Sequence, residues 1–262
     1  MVKCLVVRPA GDQVTVYTKV WLGRFIDTIQ EGNDVLDINS GEVTPEAVLT
    51  AIINENPDFI YVAGHGLPEL QTISTVRGNE DLFWIPCSYP DREHNDSNIG
   101  ILKNKLVYLL SCFCGSKLVP AIGEIGGVSG GYEDEYIFII DPDRYSPEED
   151  VYANSFGDCA NQFAISMIEG KDLQTCLDET YMKYSSEIEA WKRWLDENPD
   201  APSYQRVRAA LCARLLAHDR DALVGSQKSP LIAGVDRIGM LIVILLLIAA
   251  IIYGSLKREK YE

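Results

Sequence analysis

Two short stretches constrain the fold of this chain more than any others. The first is Phe59-Ile60-Tyr61-Val62-Ala63-Gly64-His65-Gly66, and the second is Leu106-Val107-Tyr108-Leu109-Leu110-Ser111-Cys112-Phe113-Cys114-Gly115. Each is a run of apolar and β-branched residues that stops at small residues. Such a run reads as a strand buried on both faces in a parallel sheet, delivering its last residues to the carboxyl edge. In open α/β sheets that edge is where sites are built. One strand ends in an imidazole and the other in a thiol, with His65 lying 47 residues before Cys112. A thiol with an imidazole nearby is the minimal kit for nucleophilic acyl transfer.

The surrounding pattern predicts alternating strands and helices, hence a mainly parallel sheet with right-handed crossovers. Lys3 to Pro9 reads as a first strand, Val14 to Gln30 as a helix and Asp34 to Ile38 as a second strand. Thr44-Pro45-Glu46-Ala47 opens a helix: Thr44 caps it, Pro45 sits at the first helical position, and Glu46 puts a negative charge in the first turn. Residues 67–104 are turn-rich and are expected to form a hairpin or loop over the site. A short helix is expected near Ser116 to Glu124, then the glycine-rich segment Gly126 to Gly131. Tyr136 to Ile140 reads as a strand or the start of a helix. Residues 152–168, 171–195 and 203–222 have helical spacing, and Gly225 to Gly234 reads as a linker.

The C-terminus departs from the rest. No residue from Ile238 to Leu256 is charged, and Lys257-Arg258-Glu259-Lys260 follows. About 20 such residues span a bilayer as a helix. The expected organisation is a head at residues 1–195, a helical extension and linker at 196–233, and a membrane anchor with a short basic tail at 234–262. The positive charges after the span exceed those just before it, which favours an external head. Two features favour the opposite: Met1 to Arg8 has too short an apolar core for a signal peptide, and the seven cysteines have no framework spacing. The expectation is a single-pass membrane protein with a cytoplasmic head. A net charge of −16 argues against nucleic acid as a partner.

An apolar strand ending in His-Gly, followed by one ending in Ser-Cys, resembles the caspase-hemoglobinase fold of cysteine peptidases. That group includes caspases, metacaspases, gingipain-like peptidases, separases and the CHAT peptidases. The caspase His likewise precedes its Cys by about 50 residues. Ser111-Cys112-Phe113-Cys114-Gly115 is similar to the metacaspase form Asp-Ser-Cys-His-Ser-Gly and the CHAT form Ser-Ala-Cys-x-x-Gly. The resemblance covers roughly residues 3 to 190. It implies a caspase-like three-layer α/β sandwich, a cysteine endopeptidase, and a peptide or protein substrate; with the C-terminal anchor, the expectation is a membrane-anchored cysteine endopeptidase.

Within that resemblance Cys112 is the nucleophile and His65 the general base or acid. The backbone N–H groups of Gly66 and Cys112 would be the oxyanion donors. Cys114 is the rival thiol, but Gly115 follows it directly, which matches neither family form. His94 lies in a polar run and His218 on a C-terminal helix, and neither ends an apolar strand. Glu133 and Asp134 are candidates for binding a basic substrate side chain; the alternative is a solvated acidic turn. The Asp that metacaspases carry two residues before the Cys is Leu110 here.

No cofactor or metal is expected. A Cys-x5-Arg phosphatase loop would need Arg where Leu118 stands, Cys112 and Cys114 lack thioredoxin spacing, and zinc would need more clustered ligands. Two other functions remain open: a catalytically silent caspase-like interaction module at the membrane, and a thiol redox sensor using Cys112 and Cys114.

Overall fold

The computed structural model describes residues 1–143 and 146–227. In chain order the elements begin with β1 (Lys3–Arg8), α1 (Gln13–Ile29), β2 (Asp34–Asn39), α2 (Pro45–Glu55) and β3 (Phe59–Ala63). There follow β4 (His65–Leu67), β5 (Leu70–Thr75), β6 (Gly78–Trp84), β7 (Cys87–Tyr89) and β8 (Arg92–His94). The rest are β9 (Leu106–Leu110), α3 (Leu118–Glu124), β10 (Val128–Tyr132), α4 (Val151–Ile168), α5 (Leu173–Glu197), α6 (Ser203–Ala222) and β11 (Leu223–Gln227).

The central sheet has the order β11-β10-β9-β3-β1-β2. All its pairings are parallel except β10 with β11. The fold is thus α/β with a mixed, mostly parallel sheet. Alternate residues of β3 and β9 enter opposite cores, as the two-residue period of a strand requires. Phe59, Tyr61, Ala63, Tyr108 and Leu110 pack with α1, α4, α5 and α6. Ile60, Val62, Val107 and Leu109 pack with α2, α3 and the β5–β6 pair. Burial on both faces explains why the two strands are uninterrupted apolar runs.

Local chemistry sets the helix ends. Thr44 caps α2 by accepting the Ala47 N–H at 3.1 Å, and Pro45 sits in the first turn. Asp12 caps α1 in a reciprocal capping box with Thr15. The helix expected from Val14 therefore begins one residue earlier.

Within residues 67–104, where a hairpin or loop is expected, β5 pairs with β6 and β7 with β8, both antiparallel, and every residue of β5 is buried. Two expectations are corrected. Tyr136 to Ile140 forms neither strand nor helix. The N–H groups of Tyr136 and Ile137 are engaged elsewhere, and the outer edge of β10 is already taken by β11. Gly225 to Gln227, expected to open a linker, lie in β11, and the rest of the expected linker lies outside the described residues. It follows that a boundary at residue 195 separates nothing: α6 and β11 belong to one compact unit, Met1–Gln227.

Among the described residues no helix is long and apolar enough to cross a membrane. The expected anchor, Ile238 to Leu256, lies outside the described residues.

Candidate functional site

Strands β3 and β9 lie side by side, with Phe59 opposite Leu106 and Ala63 opposite Leu110. This offset of 47 residues is the one that separates His65 from Cys112. The two residues therefore stand at equivalent places just past the carboxyl ends of neighbouring parallel strands. Both also continue the strand face that carries Tyr61 and Tyr108, since side chains alternate. The chain ends stay close beyond the ladder: the Gly64 N–H donates to the Leu110 carbonyl at 3.2 Å.

Gly66 is required by that closeness. A Cβ there would run into the Cys112 carbonyl oxygen and lie 2.6 Å from the Cys114 sulfur. No side chain can be accommodated at this point without moving the Cys112 turn.

The His65 ring is partly exposed, and its Nε2 bonds the Asp12 Oδ2 at 2.7 Å. Its Nδ1 makes no hydrogen bond among the described residues. The Ser74 hydroxyl also donates to the same Asp12 oxygen, at 2.6 Å. Burial alone would raise the Asp12 carboxyl. The bonds from Ser74, His65 and the Thr15 N–H outweigh it and hold the carboxyl well below the usual range. Asp12 thus fixes the ring and leaves Nδ1 as the free nitrogen. Sequence reasoning left Asp12 unassigned. Its signal was an Asp just before an apolar-periodic helix, which reads only as a cap.

Cys112 is half-buried and its thiol is pushed up, chiefly by burial and further by the charges of Glu135 and Asp219. The larger of two opposing effects is the Tyr136 N–H, which donates to the sulfur at 3.4 Å; the other is the backbone of Cys112 itself. The resting group is therefore a thiol that needs a base. No hydrogen bond joins it to His65 in this structure. The turn after it is fixed by backbone bonds, Phe113 N–H to the Asp134 carbonyl at 3.0 Å and Gly115 N–H to the Tyr132 carbonyl at 2.8 Å. Phe113 adopts φ of 60°, a left-handed conformation unusual for a bulky side chain.

Cys114 sits differently. It is fully buried, receives the Ser111 hydroxyl at 3.1 Å, and lies 3.5 Å from the Leu70 carbonyl. Burial pushes its thiol up to about 12. It packs into the core opposite Tyr61 and Tyr108 and is closed to solvent.

Glu133 and Asp134 are exposed and border a cavity of about 340 Å³ with His218, Asp221 and Ala222. The Phe113–Asp134 backbone bond places this acidic rim next to the Cys112 turn. Among the described residues no group of three His, Cys, Asp or Glu side chains could hold a metal ion. All seven cysteines are free.

No family model matches the chain, and no curated protein matches its sequence.

Proposed function

We propose that this chain is a cysteine endopeptidase of caspase-like architecture, with Cys112 as nucleophile and His65 as its base. One observation carries the reading: the strand register sets His65 and Cys112 at equivalent positions past adjacent parallel strands. The mostly parallel sheet with helices on both faces agrees with the fold that the two motifs imply.

In this reading the Cys112 Sγ attacks the scissile carbonyl while its proton passes to His65. The negative charge moves to the carbonyl oxygen, which the N–H groups of Gly66 and Cys112 would receive. Collapse breaks the C–N bond, and His65 returns the proton to the leaving amine. A water then attacks the thioester with His65 as base, releasing the acid and restoring the thiol. Asp12 holds the ring throughout. The acidic rim at Glu133, Asp134 and Asp221 suits a basic substrate side chain, and the segment from Ile238 to Leu256 would hold the enzyme to a membrane, with its head in the cytoplasm.

The test is labelling of the full-length protein with peptidyl electrophiles, with and without Cys112→Ala, alongside cleavage of a peptide library. Labelling confined to Cys112, together with cleavage that Cys112→Ala abolishes, is expected. The raised thiol and the missing His65–Cys112 hydrogen bond favour a second reading, a silent interaction module. A Cys112 that no electrophile modifies would select it.

A further inference from the structure

Two consecutive residues of α6 grip the segment that lies on the Cys112 sulfur. The His218 Nε2–H donates to the Glu135 carbonyl at 2.9 Å. The Asp219 Oδ1 accepts the Ile137 N–H at 3.1 Å. Tyr136 stands between these two anchored peptide groups, and its own N–H is the donor to the sulfur. The Tyr136 hydroxyl pins the same residue from the other side by donating to the Phe156 carbonyl at 3.2 Å.

The segment has no ladder to hold it, since it forms neither strand nor helix. Its placement therefore depends on these side-chain bonds. Asp219 makes its bond at a cost: it is fully buried, and its Oδ2 has no partner. A buried polar atom left unpaired costs about 1–3 kcal/mol, so its retention calls for a reason beyond packing.

We propose that His218 and Asp219 are positioning residues for the Cys112 thiol, acting as a clamp that aims the Tyr136 N–H at its sulfur. The inference rests on Cys112 being the working thiol. A backbone N–H aimed at sulfur favours the thiolate, whereas burial and the nearby Glu135 and Asp219 disfavour it. Without the clamp the thiol loses the main contact that opposes its burial.

The experiment is iodoacetamide alkylation of Cys112 in the full-length chain, followed by mass spectrometry across a pH series, with Cys112→Ala as the blank. His218→Ala should slow alkylation at neutral pH by about threefold and raise the alkaline midpoint of the rate. Asp219→Ala also removes a carboxyl that itself disfavours the thiolate, so it is read against Asp219→Asn, which loses the acid but keeps the acceptor: the Ala variant should react about tenfold more slowly than the Asn variant. His218→Gln keeps a donor in place and should stay within about twofold of the unaltered chain. His218 is only half-buried, so His218→Ala keeps the test decisive if Asp219→Ala fails to fold. An unchanged midpoint or a faster reaction in His218→Ala, failure of His218→Gln to rescue, or equal rates in the two Asp219 variants would overturn the clamp. The readout is thiol reactivity, so it stands apart from peptide cleavage: a chain that cleaves nothing can still show the clamp, and an active peptidase can still lack it.

Discussion

At the scale of single residues the two thiols of the Cys112 turn separate cleanly. Cys112 is half-buried beside a segment without regular structure, while Cys114 is sealed among Leu70, Gln71 and Ser111. Cys114→Ala should leave alkylation of Cys112 intact but lower stability by about 1–2 kcal/mol, through the small cavity it leaves, since the Ser111 hydroxyl keeps Gln71 Oε1 as its acceptor. Cys112→Ala should remove the labelling with little loss of stability, and denaturant melts of both variants check the contrast. Asp12 gives a second residue-scale test, because it serves as helix cap and as histidine partner. Asp12→Asn keeps a capping oxygen and should hold the thermal midpoint within a few degrees, while lowering any peptidase activity by about a hundredfold. The pH dependence has a definite sign. The folded carboxyl ionises below its unfolded value, so the ion contributes stability above the ordinary carboxylate range. That contribution disappears as pH falls through the lower folded value. The stability gap between the unaltered chain and Asp12→Asn should thus be steady above about pH 5 and shrink progressively as pH falls below about 4. A gap that does not shrink on acidification would show that the Asp12 charge does not contribute.

At the scale of elements, what could be read from sequence was what repeats with a period. The apolar runs of β3 and β9 announce themselves because both faces are buried, and Thr44-Pro45-Glu46 announces α2 by its cap. Tyr136 to Ile140 misled for the same reason: its apolar content suggests a strand, yet the Tyr136 N–H goes to the Cys112 sulfur and the Ile137 N–H to a carboxyl oxygen of Asp219. No local pattern reports that a distant helix will take a strand's hydrogen bonds. The His65–Cys112 pair was legible because its spacing equals the strand register; Asp12 was not, because its partner lies 53 residues away. The element-scale prediction concerns the joint between β4 and the Cys112 turn. Gly66→Ala would push a methyl group against the Cys112 carbonyl and the Cys114 sulfur, both fixed by the turn. It should cost about 2–3 kcal/mol or displace the turn, and in either case slow Cys112 alkylation. Wild-type stability and reactivity in that variant would mean that the strand ends are less tightly joined than the structure has them.

At the scale of the whole molecule, the question is where the folding unit ends. The sequence reading sets a head at residues 1–195 and a helical extension and linker at 196–233. In the structure β11 pairs along β10 from Val128 to Tyr132, and α6 buries Ala209, Cys212, Leu216 and Asp219. Removing both would open the β10 edge along its length, uncover the α5 face that packs on α6, and release the segment over Cys112. A chain of residues 1–227 should therefore melt cooperatively and stay in solution, while residues 1–195 should aggregate or lose a cooperative transition. The comparison needs only thermal melts and sedimentation of the two truncations beside the full-length protein. The full-length chain is expected to fractionate with membranes and resist carbonate extraction, as a span of uncharged residues from Ile238 to Leu256 would require. Residues 1–227 should remain in the supernatant. Cooperative melting of residues 1–195 with Cys112 still reactive would restore the earlier boundary, and would leave α6 and its clamp on the sulfur without a role.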